Sequence, residues 1–112
     1  MKREIISARN FAKEIDYLLK KRLLLHEDFD DFKKELSKNL EMGDLIVGAG
    51  GVRKVRLKSA SGGKSGGFRV CYYDLASEEL LYLLWIYSKK DQENLTADEK
   101  KMLKEFVKFL KG

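Results

Sequence analysis

The run Leu80-Leu81-Tyr82-Leu83-Leu84-Trp85-Ile86-Tyr87 constrains the fold more than any other segment, because all eight residues are apolar or aromatic. Eight residues fall far short of the ~20 that a membrane-crossing helix needs. A strand with apolar side chains on both faces belongs in the centre of a sheet. The rest of the chain has to supply its neighbours and its cover.

Two segments qualify as neighbours. Val52 to Lys58 alternates, with Lys54, Arg56 and Lys58 on one face and Val55 and Leu57 on the other. Phe68 to Tyr73 alternates again, opposing Phe68, Val70 and Tyr72 to Arg69, Cys71 and Tyr73. Gly48, Gly50 and Gly51 mark a turn before the first, and Gly62 to Gly67 reads as a flexible connector between the two. With a turn around Ser77 and Glu78, the three strands predict an antiparallel meander.

The cover comes from helical periodicity. Phe11, Ile15, Leu18 and Leu19 predict a helix from Ser7 to about Arg22, after a short first strand ending at Ile5 and Ile6. A second helix starts near Glu27, with acids at its N-terminal end, the stripe Phe29, Phe32, Leu36 and Leu40, and Gly43 as its stop. Thr96 and Glu99 form a T-x-x-E capping box for a last helix with the stripe Met102, Leu103, Phe106, Val107 and Leu110. The expected architecture is α+β: a helical hairpin packed on a small antiparallel meander, with a C-terminal helix. At 112 residues the chain reads as one domain, residues 1–112.

Charge is segregated. Between Leu45 and Tyr73 there is no acid, and six bases occur: Arg53, Lys54, Arg56, Lys58, Lys64 and Arg69. The chain holds 23 Lys and Arg, so the remainder carries 17 against 18 acids, and all of the positive excess lies in this segment. That pattern fits a polyanion-facing surface, and equally a solvated basic hairpin. The single Cys71 excludes an internal disulfide, and the N-terminus lacks a signal peptide's apolar region, so a cytoplasmic protein with no membrane association is expected.

Other chemistry finds little support. Gly63-Lys64-Ser65 resembles the end of a P-loop, but Lys58 stands where the first glycine belongs and a strand follows instead of a helix. One Cys and one His cannot build a zinc site by themselves, and Asp28 to Asp31 lacks calcium-loop spacing, so no metal and no cofactor is expected. His26, alone, supplies no paired imidazole acid and base. What remains is the basic face. Paired strands would bring Lys54, Arg56 and Arg69 together, with Lys89 and Lys90 just past the third strand. Such a cluster binds a phosphodiester and can stabilise the extra charge of a phosphorane. A lysine among like charges loses its proton more readily, as a base must. Without further information, binding is the simpler reading of these residues.

The run Gly43-Asp44-Leu45-Ile46-Val47-Gly48-Ala49-Gly50-Gly51-Val52-Arg53-Lys54-Val55-Arg56 resembles the G-D-x-I-x-G-x-G-G-x-R-K-x-R of HigB-type toxins in the RelE superfamily. Gly63-Lys64-Ser65-Gly66-Gly67-Phe68-Arg69-Val70-Cys71-Tyr72-Tyr73 is similar to their G-K-x-G-G-x-R-x-x-Y-Y, and Tyr87-Ser88-Lys89 follows in the family's order. The resemblance covers about residues 27 to 110. It implies the RelE-like fold and ribosome-dependent, metal-independent cleavage of mRNA. Its implied partners are the ribosome with its mRNA and a cognate antitoxin of helix-turn-helix, HigA-like type, through which operator DNA is bound. By resemblance, Lys54 is the base, Arg56 and Arg69 stabilise the phosphorane, and Lys89 or Lys90 is the acid. Arg53, Lys58 and Lys64 then contact RNA, and Tyr73 or Tyr87 stacks on a base. The sequence departs from RelE-type toxins at Thr96, near the place of their C-terminal catalytic Tyr. Two other readings stay open: a ParE-like gyrase inhibitor on the same fold, and an RNA- or ribosome-binding module that cuts nothing.

Overall fold

The computed structural model describes residues 3–59 and 67–112, so most of the glycine-rich connector, with Lys64, lies outside the described residues. The elements are β1 (Glu4–Ser7), α1 (Arg9–Lys20), α2 (His26–Lys38), β2 (Asp44–Leu45), β3 (Arg53–Leu57), β4 (Phe68–Leu75), β5 (Leu80–Ser88) and α3 (Ala97–Lys111), with a short 3₁₀ turn at Ala76–Glu78. They form a sheet in the order β1-β5-β4-β3-β2. The expected meander is β3-β4-β5, antiparallel throughout. β1 adds to it in parallel, Glu4 to Ser7 against Leu80 to Leu83, which gives the all-apolar run its second neighbour.

Each sheet face carries its own core. On one side, Phe11, Ile15 and Leu18 of α1 and Phe32 and Leu36 of α2 pack on Leu57, Val70, Tyr72, Leu81, Leu83 and Ile86. On the other, Leu103 and Val107 of α3 pack with Leu95, Ala49 and Val52 on Cys71, Leu84 and Tyr87. The split follows from period-two alternation with one irregularity. Cys71 faces Trp85 but Tyr72 faces Leu83, so Leu84 is an extra residue in β5. This bulge places Leu84 and Trp85, consecutive in sequence, in the same α3-side core.

The helix ends show local chemistry at work. α1 closes with Arg22 in the left-handed region (φ 58°), while Leu23 N–H donates to the Leu18 carbonyl and Arg22 N–H to that of Leu19. This is a Schellman closure made without its usual glycine. α3 begins at the predicted box: Glu99 N–H donates to Thr96 Oγ1 (3.1 Å) and Thr96 N–H to Glu99 Oε1 (2.9 Å). The bond from the Thr96 backbone N–H, with smaller contributions from the Gln92 and Thr96 side chains, holds the Glu99 carboxyl below its ordinary range against the opposing effect of burial. Met102 departs from its expected place, being 55% exposed.

Gly43 is not the stop of α2. The helix ends at Lys38, where Asn39 turns extended and its side-chain oxygen accepts from Glu41 N–H, a local competitor for the helical bond. Gly43 instead lets two chain segments touch. A Cβ there would lie 2.7 Å from the Lys54 carbonyl oxygen and 3.0 Å from Tyr72 Cε1. Its own N–H donates to the Tyr72 hydroxyl (2.9 Å), which donates onward to the Leu40 carbonyl (2.8 Å). Tyr72 thereby ties the loop after α2 to the strand that carries the basic residues.

Candidate functional site

The register sets the basic residues in order. Arg56 of β3 lies opposite Arg69 of β4, and Arg69 lies opposite Tyr87 of β5. Directly opposed side chains start about 4.5–5.5 Å apart, so the two guanidinium groups can close on one phosphate. The next row on the same face is Lys54, Cys71 and Trp85. This is the α3 side of the sheet, but α3 covers Cys71 and leaves Arg56 exposed and Lys54 and Arg69 half-exposed. Two core features lie beneath. Burial pushes the Cys71 thiol up to about 12, against a smaller opposing effect of the nearby Lys54 charge. The thiol therefore stays protonated and is no nucleophile. Burial likewise pushes the Tyr87 hydroxyl up to about 12, and that hydroxyl is buried with no hydrogen-bond partner among the described residues.

Past the ends of the strands, the Lys89 N–H donates to the Gly67 carbonyl (3.4 Å), which continues the β4–β5 pairing by one step. Gly67 has φ 68°, and a Cβ there would lie 2.5 Å from the Leu57 carbonyl oxygen. Only glycine fits there. Lys54, Arg56, Arg69, Lys58 and Lys89 are thus the residues that the fold gathers.

Three expected site residues sit elsewhere, and a fourth lies in the row but is buried. Arg53 falls on the opposite face by alternation, where its guanidinium donates to the Gly43 carbonyl (2.7 Å), so it fixes the loop before β2 and does not join Lys54. Tyr73 is packed against Gly51, with Lys111 Nζ 6.0 Å from its ring, further along β4 from Arg69. Lys90 lines a cleft beside α1 with Glu14 and Tyr17. Tyr87 is in the right row but is only 7% exposed, so its ring serves the core more than a stacked base. The fold also brings in the acidic side of α2, to which no sequence motif points: Asp31 and Glu35 line one cleft with Arg56 and Lys58. Only their i, i+4 spacing marks them in the sequence.

A family model described as "RelE toxin of RelE / RelB toxin-antitoxin system" matches residues 4–112. Among solved structures, a mutant of the E. coli toxin RelE in the free state is similar, with a TM-score of 0.56 and 16% identity over 83% of this chain and 90% of that chain. That likeness bears on the fold, and it agrees with the expected helical hairpin, sheet and C-terminal helix. With the family model spanning nearly its whole length, the chain belongs to the RelE toxin family of toxin–antitoxin systems.

Proposed function

We propose that this toxin is a HigB-type, ribosome-dependent mRNA endonuclease whose active site is the open basic face of the sheet. The observation that carries the reading is the direct opposition of Arg56 and Arg69, flanked by Lys54 along β3 and by Lys89 beyond β5. Lys54 takes the proton of a ribose 2′-OH, and the oxygen attacks the adjacent phosphorus. The O2′–P bond forms while the P–O5′ bond breaks, and Lys89 gives a proton to the departing 5′ oxygen. Arg56 and Arg69, always charged, neutralise the phosphorane between these steps. The products are a 2′,3′-cyclic phosphate and a 5′-hydroxyl end. Protein cations carry the charge stabilisation, so the mechanism calls for no metal. Lys58, just past β3, extends the phosphate contacts, and Lys64 of the glycine-rich connector adds to them. No helix among the described residues is long and apolar enough to cross a membrane, and the proposed setting is the cytoplasm, with a HigA-like antitoxin that also engages operator DNA.

The test is in-vitro translation followed by primer extension. New 5′ ends on translated mRNA, absent from the same naked RNA, are the expected result. Stalling without new ends would leave only binding, and loss of gyrase supercoiling activity would point to the ParE-like alternative.

A further inference from the structure

Outside the basic row, one cleft of about 440 Å³ joins α2 to the outer edge of β3. β2 pairs only with Arg53 and Lys54, so from Val55 onward no β2 residue pairs with that edge. Buried Phe32 and half-buried Val55 give the cleft an apolar floor. Arg56 and Lys58 stand on one side, and the exposed carboxylates of Asp31 and Glu35 on the other. Among the described residues, no ion pair joins Asp31 or Glu35 to Arg56 or Lys58, although these opposite charges line the same cleft.

Helix stability does not account for Asp31 and Glu35. The macrodipole rewards acids in the first turn, which here means Glu27 and Asp28. Asp31 and Glu35 lie beyond it, four residues apart on one face, where like charges are mildly destabilising. A cleft with cations on one rim, acceptors on the other and an apolar floor matches a nucleotide: phosphate, base edge and base plane.

We infer that this cleft holds the base next to the phosphate gripped by Arg56, and that Asp31 and Glu35 select bases carrying an exocyclic amino group. The inference rests on the RNA-facing reading above. Ionised carboxylates only accept hydrogen bonds. Adenine, cytosine and guanine each present an exocyclic amino donor, whereas uracil offers only the imide N3–H, flanked on both sides by carbonyl oxygens that face the carboxylates unfavourably. The toxin's preference around the cut is therefore against uridine at this position.

The experiment is NMR titration of the full chain with the four ribonucleoside 3′-monophosphates. Uridine monophosphate should bind at least about fivefold more weakly than the tightest of the other three, the lower end of what one good base contact gives. In an Asp31→Asn, Glu35→Gln variant the gap should close or reverse; both positions are exposed, and the amide spectrum reports folding directly. Arg56→Ala should weaken all four alike. Equal binding of all four by the wild type, or a gap that survives the double substitution, overturns the inference. The assay needs neither ribosome nor cutting. A preference without cleavage of translated mRNA would sink the nuclease reading alone, and cleavage without a preference would sink this one alone.

Discussion

Replacing Tyr72 by Phe should cost far more than one hydroxyl on a surface would. Tyr72 is fully buried, and its hydroxyl accepts from Gly43 N–H and donates to the Leu40 carbonyl. Its pKa is raised by burial, against the hydrogen bond from Gly43 and the charge of Arg53, so the phenol is neutral and fit for both roles. Phe keeps the ring and removes both bonds. Gly43 is buried, so its N–H is left without a partner, at about 1–3 kcal/mol. Leu40 is half-buried and water can reach its carbonyl, so that bond is worth the ordinary net of about 0.5–1.5 kcal/mol. The sum is about 1.5–4.5 kcal/mol, a large share of the roughly 5–15 kcal/mol typical of a domain. At about 4 °C per kcal/mol for a chain of this length, Tm falls by about 6–18 °C. Urea unfolding should show the midpoint lowered at unchanged slope. Tyr87→Phe is the internal control: its hydroxyl has no partner among the described residues, so removing it should leave stability unchanged or raise it by up to about 1 kcal/mol. A Tyr72→Phe loss under about 0.5 kcal/mol, or equal losses for both variants, would refute the reasoning.

Arg22 spends left-handed backbone strain on the Schellman closure, so Arg22→Gly should raise stability by about 0.5–1 kcal/mol in the same urea assay. Thr96→Ala removes half of the capping box and should cost about 1 kcal/mol, read by thermal unfolding. Glu99 has its folded pKa lowered, so its contribution is present above the ordinary carboxylate range and fades as pH falls through the folded value; Glu99→Gln should flatten that acid limb. At the alkaline end the sign reverses. Cys71 and Tyr87 have folded pKa values raised to about 12 from 9.0 and 10.0, so the fold favours their protonated forms. Stability should be full below about pH 9 and decline as pH rises toward 12, less steeply in Tyr87→Phe, by urea midpoints across that range.

The sequence carried the strands and their facing because period-two alternation survives any tertiary context that buries one face. Lys54, Arg56 and Arg69 could be set together from that pattern alone. The α3 capping box was equally legible, being a four-residue code. Long-range geometry was not. The parallel pairing of β1 with Leu80 to Leu83 joins segments some 75 residues apart with no local mark. In the sequence Gly43 looks like a helix stop because glycine serves that role so often, while its actual constraint, contact with Lys54 and Tyr72, exists only in the folded chain. Arg53 shares the charge of its neighbours, but a strand sends alternate residues to opposite faces, and adjacency in sequence there means separation in space. The acidic face of α2 escaped notice for the opposite reason: its significance depends on Arg56 and Lys58 approaching from another strand.

The account turns on whether the Arg56–Arg69 face cuts RNA. The most direct measurement maps mRNA 5′ ends after brief induction of the wild type and of a Lys54→Ala, Arg69→Ala variant shown to be folded. The expected result is new 5′-hydroxyl ends within translated reading frames for the wild type and none for the variant. The same ends from both proteins, or growth arrest by the wild type with no new ends, would contradict it.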